Sequence, residues 1–311
     1  MDSLSAEKVS AKDGQIRVQR ISYTDLPPVE RVRFTVLVDD SIGPEGRKLV
    51  AKHGLSFHVE ITTAAEKTRI IMDAGPPKDI AVRNADTVGI DLRQVDAIVI
   101  SHGHYDHTGG LEEFLRLTAK QVPVIIHPEA FSPKFALSPK LRFIGMERSV
   151  QTSITSRGVP VVARNSVRIS RGVMTSGEVT RLTEREKSEG FWKVTGERFM
   201  EDQVTDEQAL LINLRDRGLI IVTGCAHPGI INIVNHARKV SKVSKVCAII
   251  GGFHLTGSSH DRLEATTKEL SGLNPELVCP CHCTGSSAIG RLSELLGPRC
   301  KPVRTGDSIE L

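Results

Sequence analysis

The stretch Ala97–Leu111, AIVISHGHYDHTGGL, decides how this chain reads. Ile98, Val99 and Ile100 suit a buried strand, and the polar run behind them sets His102, His104, Asp106 and His107 within six residues. In a tight loop after a strand, His102 and His104 can turn their imidazoles to one metal, leaving Asp106 and His107 to face a second position. Imidazole nitrogen and carboxylate oxygen suit zinc, and also iron or manganese. Gly103, Gly109 and Gly110 let the backbone turn and leave the metals open. The loop follows the C-terminal end of a strand, where α/β folds place their sites. Exposed or capping histidines are the bland alternative; four ligand-type residues at this spacing outweigh it.

Outward from the loop, RFTVLVDD (33–40), SFHVEITTA (56–64), TRIIMDAGPP (68–77) and VPVIIHPEA (122–130) read as strands, with LEEFLRLTA (111–119) an amphipathic helix. DEQALLINLRDRGLIIVTGCAHPG (206–229) reads as a hairpin, and GIINIVNHARKV (229–240) as a helix. A strand at 245–255, a helix near 261–271, a strand at 275–283, a helix at 286–296 and a strand near 302–310 complete the chain. Strands first and strand–helix alternation afterwards, in both halves, predict an α/β four-layer αββα sandwich. Residues 1–30 read as an N-terminal arm or edge segment and 31–311 as a single domain. Within it, a variable segment at about 128–200, rich in Ser, Pro, Arg and Gly, forms the pocket.

Composition narrows the partners. The balance of 41 basic and 37 acidic residues gives +4, too mild and too scattered for nucleic-acid binding by field alone. The N-terminus is polar and lacks the apolar stretch of a signal peptide, and no apolar run reaches the roughly 20 residues of a membrane span. All six cysteines lie in the last third of the chain, a distribution that suits reduced thiols in a cytoplasmic protein better than a disulfide framework. A small-molecule substrate is expected, and a homo-oligomer is compatible with the sequence.

The loop resembles the signature His-x-His-x-Asp-His of the metallo-β-lactamase fold superfamily of metallohydrolases. KHGLSFHVEI, MDAGPP, SHGHYDHTGGL, TSGEVTR, VTGCAHPGIINIV, IIGGFHL and PCHCTG are similar to one branch, whose members are named dihydropterin-ribofuranosylaminobenzene phosphate synthase. The resemblance covers roughly residues 33–311. It implies a dinuclear site with a third histidine, a bridging aspartate or cysteine, and a late histidine. Cys225 stands where the bridging residue is expected, as a ligand or packed beneath the loop. No histidine lies between His127 and His227, so His227 is the replacement for the third histidine. His282 matches the late one. Asp73, in MDAG, is an acceptor that orients a ligand. His254 is a candidate catalytic proton donor, with a metal ligand and a substrate contact as alternatives. His53 and His127 are candidates for the pocket. Cys279, Cys281 and Cys283 read as buried strand cysteines rather than a separate zinc knot, because no Cys-x-x-Cys pair is present. His58, His236 and His260 carry no site signal, and His236, in a helix, reads as a surface residue.

The implied cofactor is two divalent metal ions, zinc first, with iron or manganese as alternatives. A metal-bound hydroxide, oriented by Asp106, would attack a small phosphoester, lactone or related ester. The branch implies a different class, a pterin-related synthase that joins a pterin to a ribofuranosylaminobenzene phosphate. RNA processing and an iron-dependent redox reaction are further readings, weakened by the absence of a massed basic patch and of room for a flavin domain.

Overall fold

Ile70, Met72, Ala97, Val99 and Ile125 belong to one buried cluster, while Ile71, Ile98, Val124 and Ile126 belong to another. Alternation along a strand sends neighbours to opposite faces, so these near-continuous apolar runs describe a sheet covered on both sides. Leu210, Ile212, Ile220, Val222, Ala248 and Ile250 share the first cluster, while Leu211, Leu219, Ile221 and Ile249 enter a third. The first cluster is therefore the seam between two sheets, and each of the others lies beneath a helical layer. Each fully buried aliphatic side chain in these layers contributes about 1.5–3 kcal/mol.

The computed structural model of the chain describes residues 6–12, 15–21, 26–44, 48–118, 120–186 and 188–311. One sheet has the strand order Val159–Val162, Pro123–Ile126, Ala97–Val99, Lys67–Met72, Ser56–Thr62, Arg31–Val38 and Ser308–Glu310. The other runs Arg168–Ser170, Val173–Thr175, Leu210–Leu214, Gly218–Val222, Val246–Gly251 and Leu277–Pro280. Helices Ile80–Thr87, Leu111–Leu117 and Arg148–Arg157 supply residues to the cluster outside the first sheet. Helices Ile230–Ser241, His260–Gly272 and Ser286–Leu296 supply the cluster outside the second, giving the αββα sandwich. The first and third of these six helices were not legible in sequence.

Parallel pairing aligns the strand ends. Met72 pairs with Val99, Val222 with Ile250, and Gly251 with Pro280. The segments that follow, at Asp73, Ser101–His107, Thr223–His227, Gly252–His254 and Cys281–Cys283, therefore leave the two sheets as neighbouring loops. Strands Ala6–Lys12 and Gln15–Ile21 form a separate antiparallel ribbon, and the rest of the N-terminal segment up to residue 25 lies outside the described residues. Segment 128–200 includes a four-stranded sheet ordered Arg198–Glu201, Phe191–Thr195, Lys134–Ala136 and Arg142–Phe143.

Candidate metal centre

The histidine loop is built on Asp73. One carboxylate oxygen accepts the Ser101 backbone N–H at 2.7 Å. The other accepts the Ser101 hydroxyl at 2.7 Å and lies 2.7 Å from Nδ1 of His107. Asp73 thus fixes the ring of His107 and directs its Nε2 outward, toward Cys225 Sγ at 3.2 Å. The single turn Tyr105–Thr108 carries Asp106 and His107. Gly103 owes its identity to crowding rather than to a special turn: a Cβ there would stand 2.2 Å from the Ala130 carbonyl oxygen. Gly110 is pressed in the same way against the Ala74 carbonyl, and its φ of −85° needs no glycine.

Two sets of three donors form beside each other. In the first, His102, His104 and His227 bring ligand atoms within 4.8 Å of one another. In the second, Asp106, His107 and His282 do the same, and Cys225 forms a group with His102 and His107 that joins the two sets. His102 Nε2 and His104 Nδ1 face each other at 3.0 Å, close to the roughly 3.3 Å between two nitrogens on one tetrahedral zinc.

Outer contacts set which nitrogen is available. Glu207 lies 2.6 Å from His227 Nδ1 and accepts the backbone N–H groups of Cys225, Ala226 and His227. Ala226 sits at a φ of 61°, a strained turn that this buried carboxylate secures. Asp40 lies 2.8 Å from His282 Nδ1, and Asp39 accepts the His282 backbone N–H. The remaining nitrogen of His282, Nε2, is buried and has no hydrogen-bond partner. It lies 3.5 Å from Asp106 Oδ2. A divalent cation fits this donor set because it would satisfy that orphaned nitrogen and balance the converging carboxylate.

The charges favour the same conclusion. Burial, and then neighbouring imidazoles, hold His102 and His227 well below the ordinary histidine range; burial and His227 bring His104 down to about 3. These shifts favour the neutral imidazole that a metal ligand has to be. Burial would raise Asp106, but His107 and His282 reverse this and hold it well below the usual carboxylate range. Burial likewise opposes protonation of His107 and His282, yet Asp73 and Asp106 raise the first, and Asp106 and Asp40 the second. The carboxylates around the second donor set therefore favour positive charge there, which a divalent ion would supply on displacing the imidazole protons.

The remaining sequence candidates fall at different distances. His53 stacks on His282 at 4.9 Å and lies 3.4 Å from Asp106, at the exposed rim. His254 lies 4.4 Å from His227, ring to ring. His127 is buried but belongs to neither set; it accepts the Glu129 N–H and lies 3.4 Å from Glu178. Cys279 and Cys281 are core residues, but Cys283 is not: it is half-buried and groups with Cys225 and His254. His236 is likewise half-buried, 3.2 Å from the Ser176 carbonyl, rather than a free surface residue.

Sequence reading missed Asp40, Glu207, Phe191 and a buried triad. In the triad Lys134 donates to Asp202 at 2.7 Å and to Asp206 at 2.9 Å, and Asp206 accepts the Gly103 N–H. Phe191 packs its ring 5.2 Å from His104 and 5.0 Å from His227. Asp39-Asp40 at a strand end was a usable signal; the others carry none in one dimension.

A two-sheet sandwich with this loop at its strand ends defines a metallo-β-lactamase-type fold. Residues 53–282 match the metallo-beta-lactamase superfamily, and the chain belongs to it and is an enzyme of that fold. It is 34% identical over 266 residues to the 7,8-dihydropterin-6-methyl-4-(beta-D-ribofuranosyl)-aminobenzene-5'-phosphate synthase of Methanocaldococcus jannaschii, covering 84% of this chain and 90% of that one. A metal-dependent hydrolase of the β-lactamase superfamily superposes with a TM-score of 0.75 at 27% identity, over 90% of this chain and 99% of the other. A diphosphatase of the PhnP family, at 14% identity and a TM-score of 0.51 over 91% of this chain and 98% of its own, shares the fold. Among the described residues no helix is long and apolar enough to cross a membrane.

Proposed function

We propose that this enzyme is a metal-dependent hydrolase of a small phosphoester, lactone or related ester. His102, His104 and His227 would hold one divalent ion, Asp106, His107 and His282 a second, and Cys225 would reach both. The observation that carries this reading is the pair of adjoining three-donor sets with Cys225 between them. Zinc is the first choice on donor type, with iron and manganese as alternatives. Bound there, two such ions would supply a Lewis-acid pair and bring the pKa of water down to roughly 7.

The chain's own residues do the rest. Glu207, Asp73 and Asp40 hold His227, His107 and His282 in fixed orientations, so the donors converge without reorganising. Asp106, with His53 at 3.4 Å on its open side, orients the attacking water. Phe191, from the 128–200 segment, covers the His104 and His227 rings and keeps water from that flank, the part we assign to this segment as a pocket wall. His254 borders the same space and can give a proton to a leaving group only while its ring nitrogens stay uncoordinated. Turnover of bis-p-nitrophenyl phosphate and of a lactone panel by zinc-loaded protein tests the reading. No turnover of any of them at full metal loading contradicts it.

A second reading, a pterin-related synthase, is favoured by the identity to the archaeal relative along most of both chains. In that case the same donors would face the phosphate or the leaving group. Supplying a dihydropterin bearing a leaving group together with a ribofuranosylaminobenzene phosphate separates the readings: a joined product supports the synthase, and water-derived cleavage products support the hydrolase.

A further inference from the structure

Beside the two donor sets lies a third, of different chemistry. Cys225, His254 and Cys283 bring two sulfurs and an imidazole nitrogen within 4.8 Å of one another. Donors on one tetrahedral zinc stand roughly 3.3–3.8 Å apart, so small side-chain rotations would close this set on an ion. Three features show that the approach is built. His254 is held at a φ of 47°, in the left-handed region that few residues other than glycine occupy. Its Nδ1 is buried and has no hydrogen-bond partner. Gly252 is required beside the Cys283 thiol: a Cβ there would stand 2.6 Å from Cys283 Sγ and 2.6 Å from the Gly224 carbonyl oxygen. The Cys283 thiol in turn lies 3.4 Å from the Cys225 carbonyl, which it meets as a weak donor.

We propose that Cys225, His254 and Cys283 form a third metal position, selective for a thiophilic divalent cation and sharing Cys225 with the neighbouring pair. Cys283 brings a thiolate of its own and Cys225 a shared one, so the two sulfurs offset much of the charge of one divalent ion. Soft sulfur donors select zinc or cadmium over magnesium, calcium or manganese, whereas the nitrogen–oxygen sets beside them do not discriminate so strongly. Three protein donors leave a fourth position open, the arrangement of a reactive rather than a purely structural zinc. Occupation takes His254 out of proton transfer, so the acid role and the ligand role exclude each other. The inference goes beyond the two-ion reading and stands independently of it.

The test titrates metal-free, full-length protein with Cd²⁺, following bound metal by equilibrium dialysis and the thiolate-to-cadmium charge-transfer absorbance. The wild type is expected to take up one equivalent more than Cys283→Ser, and that variant to lose about half of the charge-transfer amplitude. His254→Gln, which keeps both sulfurs, is expected to weaken that last equivalent by at least about tenfold. Mn²⁺ should show no difference between wild type and Cys283→Ser. Equal cadmium stoichiometry and equal absorbance in wild type and Cys283→Ser would overturn the proposal. If His104→Ala leaves total binding unchanged while Cys283→Ser still removes an equivalent, the two-ion reading fails and the third position stands.

Discussion

Glu207 Oε2 lies 2.6 Å from His227 Nδ1 in a pocket that solvent does not reach. The same carboxylate gathers the backbone N–H groups of residues 225, 226 and 227, so one side chain fixes both a ligand and the loop that carries it. Burial pushes its carboxyl above the ordinary range, while the His227 and Ala226 N–H groups pull the other way. Glu207→Gln would set amide donors against backbone donors. It is expected to weaken the first metal position by about 10–100-fold, read by competition with a coloured chelator.

Asp73 plays the matching part for the second position. Asp73→Asn leaves the bulk of the side chain but removes the carboxylate that orients His107 and Ser101. The expected outcome is about 10–100-fold weaker binding of one ion only, with the other unchanged in the same titration.

The fold was legible where covalent pattern determines it. Apolar runs such as IIM and VLV, and the helical periodicity of 230–241, announce a doubly covered sheet and its helices. So was the histidine loop, because its ligands are close in sequence. What stayed hidden is assembled across the fold: Glu207 meets His227 from 20 positions away, and Asp40 meets His282 from 242. Cys283 was misread with Cys279 and Cys281 because the strand ends at Pro280, and past its end strict alternation no longer holds. The 128–200 segment was opaque because its small strands pair over long spans, Phe191 with Ala136 for instance.

The Lys134 triad shows what such long-range contacts hold. Lys134 is fully buried between Asp202 and Asp206, and Asp206 grips the histidine loop through Gly103. Lys134→Met strands two buried carboxylates and is expected to cost about 3–5 kcal/mol in a urea titration.

Acid acts on the same group. Burial would raise Asp206, but Lys134 more than offsets it and brings the carboxyl down to about 2. A carboxyl depressed on folding adds stability that is full above its unfolded value near 4 and disappears as pH falls through its folded value. About 2 kcal/mol should therefore be lost from Asp206 between pH 4 and pH 2, and Asp206→Asn should remove that part of the pH dependence.

Gly103→Ala tests the packing of the loop itself. The added Cβ meets the Ala130 carbonyl oxygen at 2.2 Å, a backbone atom that cannot rotate away. A loss of about 1–3 kcal/mol in thermal unfolding is expected, together with weaker metal binding, because the loop must shift to fit.

The account rests on two adjoining ion positions, and counting zinc tests that most directly. Cys283→Ser protein, which keeps every ligand of the pair, is reconstituted with zinc, dialysed and measured by elemental analysis, alone and combined with His104→Ala. Two zinc ions per chain in the first and one in the second are the predicted result. Fewer than two ions per chain in the first, or no change on adding His104→Ala, would contradict the account.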